Sequence, residues 1–285
     1  MISRSTLLHL RIPFSFFLLP IFLFSFSTSP SPPLLNVLLV FFIVHFLLYP
    51  ASNGYNSYFD KDEESIGGLK IPPKVTNDLY YVAIGMDILA LLLGLIIGVE
   101  FAIMLFVYGM ISKAYSHPSV RIKKFPITSW LVAGIFQGFF TFTMCYVGMN
   151  KIPFSELNPE LIYAACLSTG ILLGSYPMTQ IYQHKEDKRR GDITLSIKLG
   201  IRGTFIFTAV VFTMATLGFF EFFYVYYEFW VAFMFALFTF PMIIYFFWWF
   251  SKSRNPENVN FTYAMRLNMI SSVCLSSFFI WLSTY

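Results

Sequence analysis

Stretches of about 20 apolar residues, separated by short polar segments, dominate this chain and leave few architectures open to it. A segment of that length spans the hydrocarbon core of a bilayer as a helix. Nine are read: Ile12–Phe26, Leu34–Tyr55, Leu79–Val99, Phe101–Ala114, Thr128–Met149, Leu161–Tyr182, Thr204–Tyr224, Trp230–Phe250 and Tyr263–Thr284. Only Glu100 and its neighbours separate the third from the fourth. Composition agrees: 57% of the 285 residues are hydrophobic and 12% charged, whereas soluble domains carry about a quarter charged residues. The expected fold is an all-α multi-pass membrane protein forming one domain, 1–285. Cys145, Cys166 and Cys274 lie inside apolar segments at no metal-ligand spacing.

The basic residues set an orientation. With the N-terminus inside and nine crossings, every Lys and Arg except Lys151 falls at or near the cytoplasmic side, and the C-terminus lies outside. The first span follows Arg4 and Arg11 like a signal peptide, but no small-x-small cleavage site follows it. It is read as a retained helix. The few residues before it leave little room for an organelle transit peptide, so a prokaryotic plasma membrane is expected.

Two helix ends are nearly copies. Tyr49-Pro50-Ala51-Ser52-Asn53-Gly54-Tyr55-Asn56-Ser57-Tyr58-Phe59-Asp60 is matched by Tyr176-Pro177-Met178-Thr179-Gln180-Ile181-Tyr182-Gln183-His184-Lys185-Glu186-Asp187. Each places a carboxamide four residues before a carboxylate. Repeats are sought first because they fix architecture. Both copies end at the cytoplasmic face, so the halves, about 12–115 and 128–250 with a last helix at 263–284, form a parallel repeat. Inverted repeats with midplane sites belong to many transporters.

Asn56, Asp60 and Glu64 recur at intervals of four. A helix continued to its tip would place them on one face, with Ser52, Tyr49 and His45 behind them. Polar stripes on apolar helices face a protein interior or a wet cavity. Carboxylates and carboxamides on two facing helices suit Mg²⁺, which combines one or two carboxylates with water and phosphate oxygens. The loop Tyr115 to Pro126 adds Arg121, Lys123 and Lys124, a cluster able to clamp a diphosphate or simply to obey the charge rule. Asp87 lies about 13 Å down the third helix from Asp78. A carboxylate there costs about 2.5–3.5 kcal/mol to insert. It is read either as an acceptor-binding group or general base, or as a structural partner, with His45 a candidate for the other half.

These motifs together resemble the UbiA-type intramembrane prenyltransferases. Asn56 to Glu64 resembles that family's Asn-Asp-x-x-Asp-x-x-x-Asp signature at the end of helix two. Gln183 to Asp187, followed by Arg189, Gly191, Thr194 and Leu195, resembles its Asp-x-x-x-Asp signature ending helix six. Tyr115-Ser116-x-Pro118 with Arg121 and Lys123 resembles the loop after helix four. The sequence departs at Ser57, Glu64 and Gln183, each standing where an Asp is usual; Gln183 keeps only a neutral carbonyl oxygen as a ligand.

The resemblance implies a ring of helices around a lateral cavity. It implies Mg²⁺ as cofactor, held by Asn56, Asp60, Glu64, Gln183 and Asp187. Asn56, Tyr115, Arg121 and Lys123 would bind the diphosphate, and Asp60, Asp187 and Asp87 would be the catalytic acids. The implied reaction transfers a prenyl group from a polyprenyl diphosphate to a lipophilic, aromatic acceptor, a phenol or quinone precursor, with no nucleic-acid partner. A terpene cyclase on the same scaffold, a relative using a phosphorylated polar partner and a secondary transporter are the alternatives.

Overall fold

The structure, a computed structural model, describes residues 2–285. Among them nine helices are long and apolar enough to cross a membrane, and a short tenth precedes the seventh crossing. In chain order these are α1 Arg4–Ser27, α2 Leu34–Asp60, α3 Asp78–Ile97, α4 Val99–Ser116, α5 Pro126–Asn150, α6 Pro159–Gln180, α7 His184–Arg190, α8 Leu195–Tyr226, α9 Phe229–Lys252 and α10 Phe261–Leu282. The nine expected spans are all present. The third and fourth part at Gly98, where the backbone is extended (φ 174°, ψ 152°). The chain is an integral, multi-pass membrane protein.

Several helices are irregular where the sequence forces it. In α1, Arg11 takes a left-handed conformation (φ 48°), and Ile12–Leu18, with Pro13 near its start, winds as a 3₁₀ helix. In α2, Pro50 has no N–H to give the preceding turn. The residues just before it, Ile43–Leu48, form a π-turn. A second π-turn, Phe136–Phe140, lies in α5; there the Phe139 N–H donates to Thr169 Oγ1 of α6 at 2.9 Å. Such turns frequently mark functional helices.

The core is mostly aromatic at one end. Phe24 of α1 stacks on Phe279 of α10 with ring centroids 4.5 Å apart. Around them Phe142, Phe219, Phe222, Phe223 and Phe278 are fully buried. These residues come from the late turns of α1, α5, α8 and α10, which alternation of the crossings puts at the face opposite Asp60 and Asp187. Large apolar side chains exposed on α3, α4, α8 and α9, among them Leu92, Phe106, Met214 and Phe240, form the lipid-facing belt.

Candidate active site

A cavity of about 340 Å³ opens inside the ring. Its apolar part is walled by Leu172, Phe212, Phe219, Phe235 and Leu275. Its other end is lined by Asn56, Asp60, Asp62, Lys123, Gln183, Asp187, Arg190 and Asp192. Residues from both halves of the repeat therefore meet at one charged crown.

The α2 contribution follows from its polar stripe. Ser52 contacts Ser112 of α4, and four residues on, the Asn56 amide donates to Ser116 Oγ at 2.5 Å. That bond uses the amide N–H and leaves the carbonyl oxygen as the ligand atom. Tyr49, Ser52, Asn56 and Asp60 line the cavity, whereas His45 does not. His45 is packed among the rings of Phe22, Phe41 and Tyr49. The π-turn explains this, since it carries more residues per turn and breaks the four-residue register at His45.

The helix does not continue to Glu64 as expected. It stops at Asp60 because Lys61 is left-handed (φ 50°). Glu64 consequently points away from the cavity and pairs with Lys185 at 3.2 Å. The same turn brings in Asp62, which the sequence reading passed over although it sits in the motif.

The second motif is built differently from the first. Helix α6 ends at Gln180, three residues past Pro177, and α7 restarts at His184. Gln183 lies between them and donates its amide to the Ser65 carbonyl at 3.1 Å. Gly191, at φ 74°, ends α7 in a conformation glycine adopts without cost. The Gly191 N–H then donates to Lys188 O and the Asp192 N–H to Asp187 O, the Schellman pattern. This fold-back brings Asp192 beside Asp187. Asp192 did not stand out from the sequence; Arg190 lies in the basic run Lys185, Lys188, Arg189 and Arg190, whose place beside Asp187 suits a diphosphate as well as anionic headgroups.

Ion pairs tie the crown together. Lys123 contacts Asp60 and lies 3.5 Å from Asp192. Arg121 does not line the cavity but holds Asp192 with two bonds, Nε at 3.0 Å and Nη2 at 2.9 Å. Arg190 Nη1 is 2.8 Å from Asp62 and its Nη2 is 2.9 Å from Glu186. Tyr115 lines the cavity, its hydroxyl against that of Tyr176. Arg11, buried in the wall, donates to the carbonyls of Gly67 and Asn53 at 3.2 Å each.

Asp87 is not at the cavity. It pairs with Lys113 of α4, whose Nζ also lies 5.4 Å from the Tyr55 ring centroid. The partner is Lys113, not His45, and the contact satisfies a charge inserted among apolar residues.

Among the described residues Asp187 has no ion-pair partner, and its Oδ2 is buried without a hydrogen bond. Burial pushes its pKa up to about 7; Asp192 and Asp62 add to the rise, while Lys123 and Arg190 oppose it. Burial and the neighbouring Asp60 likewise raise Asp62 to about 6, against Arg190 and Lys123. An unfolded Asp titrates near ~3.9. Between about pH 4 and 7 these two groups thus bind more protons in the folded state than in the unfolded, and their contribution to stability falls as pH rises. Set against Asp187→Asn, the thermal midpoint of metal-free wild type in detergent is expected to fall by several degrees over this range. The variant removes the Asp187 share of that slope. An unchanged slope in that variant would show that Asp187 is not the titrating group.

Among the described residues no three His, Cys, Asp or Glu side chains converge closely enough to hold a metal ion alone. Two carboxylates, Asp60 and Asp187, and two carboxamides, Asn56 and Gln183, do share the crown. That donor set, with the unpartnered Asp187 oxygen, fits Mg²⁺ completed by water and phosphate oxygens.

The family model for the UbiA prenyltransferase family matches residues 17–270, and the chain belongs to that family. Solved structures share the fold. A UbiA homologue from Archaeoglobus fulgidus, bound to GPP and Mg²⁺, is 18% identical with a TM-score of 0.68, the match covering 99% of this chain and 100% of that one. A digeranylgeranylglyceryl phosphate synthase is 19% identical with a TM-score of 0.64, covering 99% of each chain. No curated protein matches the chain.

Proposed function

We propose that this protein transfers a prenyl group from a polyprenyl diphosphate to a lipophilic, aromatic acceptor within the membrane. The observation that carries this reading is one cavity with a charged crown and an apolar interior. The crown fits a diphosphate, and the walls of Leu172, Phe212, Phe219, Phe235 and Leu275 fit an isoprenoid chain. Relatives of the same fold, from Archaeoglobus fulgidus, bind GPP or DMAPP with Mg²⁺. The charge distribution supports a crown that faces the cytoplasm.

Asn56, Asp60, Gln183 and Asp187 would hold Mg²⁺, which when bound acts as a Lewis acid on the diphosphate. The chain's own cations, Lys123 and Arg190, face the same end and neutralise the departing group. The bond between the allylic carbon and the diphosphate oxygen breaks, and a ring carbon of the acceptor supplies the new bond. The proton lost from that carbon passes to the released diphosphate or to water at the crown. The apolar walls keep water from the allylic cation, and ring faces such as Phe212 can stabilise it.

The test is diphosphate release from purified protein in nanodiscs with Mg²⁺. Geranyl, farnesyl and geranylgeranyl diphosphates are supplied with and without hydroxybenzoate, dihydroxynaphthoate and resorcinol acceptors. Release that requires an acceptor is the expected result. Release without acceptor would replace transfer by cyclisation, and no release with any donor would overturn the reading. A double variant, Asp87→Asn with Lys113→Met, should retain the rate within about threefold, because the pair lies outside the cavity.

A further inference from the structure

The four carboxylates that line the crown are not equivalent. Asp192 is held by the two-pronged bond from Arg121, at 3.0 and 2.9 Å. Asp62 is held by Arg190 at 2.8 Å, and the same guanidinium reaches 3.9 Å from Asp60 and 2.9 Å from Glu186. Arginine keeps its charge at any working pH, and its planar fork matches carboxylates. Both acids are thus already engaged by fixed cations. Asp60 and Asp187 are left, Asp60 against the Lys123 ammonium with Arg190 at the edge of ion-pair distance, and Asp187, among the described residues, without an ion-pair partner.

The other positions able to supply negative charge are silent. Ser57 is buried and off the cavity. Glu64 is turned to Lys185. Gln183 is neutral, with its amide engaged by Ser65. One or two carboxylates, with water and phosphate oxygens, commonly hold one Mg²⁺. Arg190, with a side chain only 14% exposed, bridges Asp62 of the first motif and Glu186 of the second. A cation in that place would join the motifs just as a metal does.

We infer that this site takes a single divalent cation, at Asp60 and Asp187, and that the Arg190 guanidinium supplies the positive charge of a second. The inference rests on the prenyl-diphosphate reading for the ligand that completes the cation's shell. Arg190 is then a diphosphate-binding residue in its own right.

Mn²⁺ is the probe, counted by equilibrium dialysis and by electron paramagnetic resonance on full-length protein in nanodiscs with inorganic diphosphate. Wild type should bind one Mn²⁺ per chain, without the spin coupling of ions ~3.5–4 Å apart that a two-metal site produces. Arg190→Met frees Asp62 and should take up a second, coupled Mn²⁺, while Arg190→Lys should stay at one. Two ions or a coupled pair in wild type would overturn the inference, as would a second ion absent from folded Arg190→Met. If Arg190→Met fails to fold, the wild-type count and Arg190→Lys decide. One bound Mn²⁺ with no diphosphate released from any prenyl donor would sink the proposed reaction and leave the single-cation site standing; no bound Mn²⁺ would sink both.

Discussion

Asp60→Asn should slow acceptor-dependent diphosphate release by about 10³-fold, equivalent to ~4 kcal/mol of transition-state stabilisation. Asp60 ends α2, has a side chain only 5% exposed and meets Lys123 from the loop after α4. The substitution removes one of the two carboxylates available to a cation and leaves Lys123 facing a neutral group. Removing a partner outright from a buried pair costs about 3–5 kcal/mol of stability. Asn keeps a carbonyl oxygen for the ammonium, so folding should survive where Ala is riskier. The measurement is an initial rate at saturating Mg²⁺ and donor, beside the variant's size-exclusion profile. A folded variant within tenfold of wild type would remove Asp60 from the site.

Gly138→Leu should yield no folded protein. A Cβ at Gly138 would sit 2.5 Å from Thr169 Cα and 2.6 Å from Thr169 N. These are backbone atoms of a helix, which cannot turn aside as a side chain can. The π-turn of α5 and the small residue at its centre let α5 and α6 cross at this distance, with Phe139 bonded to Thr169. The same helices hold Phe136, Gln137 and Leu172 in the cavity wall. The clash forces the helices apart, a loss above the ~4–5 kcal/mol that marks exceptional substitutions. Gly85→Leu on lipid-exposed α3, where nothing lies within 4 Å, is the control and should fold normally. A monodisperse Gly138→Leu with an unchanged thermal midpoint would contradict the close crossing.

Much of the fold was legible because a bilayer allows so little. Runs such as Leu79–Val99 could only be spanning helices, and the charge rule ordered them. The motifs Asn56 to Asp60 and Gln183 to Asp187 were legible because their repetition put two polar ends on one face. What stayed hidden was local backbone. Lys61 gives no composition signal for a left-handed stop, so Glu64 was extrapolated onto a helix that had already ended. The π-turn before Pro50 moved His45 off the stripe in the same way. The partner of Asp87 was more accessible: Asp87 and Lys113 lie on either side of the Gly98 turn, at heights that a helical hairpin brings together. The role of Asp192 depends on the Gly191 fold-back, a three-dimensional contact that spacing alone does not display.

The stack around Phe24 and Phe279 gives the molecule a sidedness. Seven fully buried rings close the end away from the crown, and parting them would break several edge and stacking contacts at once, each worth about 0.5–1.5 kcal/mol beyond burial. The cavity is thus a well, not a passage. On the proposed reaction, diphosphate would enter and leave by one compartment, and the acceptor's proton would be delivered to that same compartment. A membrane carrying this protein would then hold a proton gradient during turnover, and in sealed vesicles only the copies whose crowns face the added donor should work.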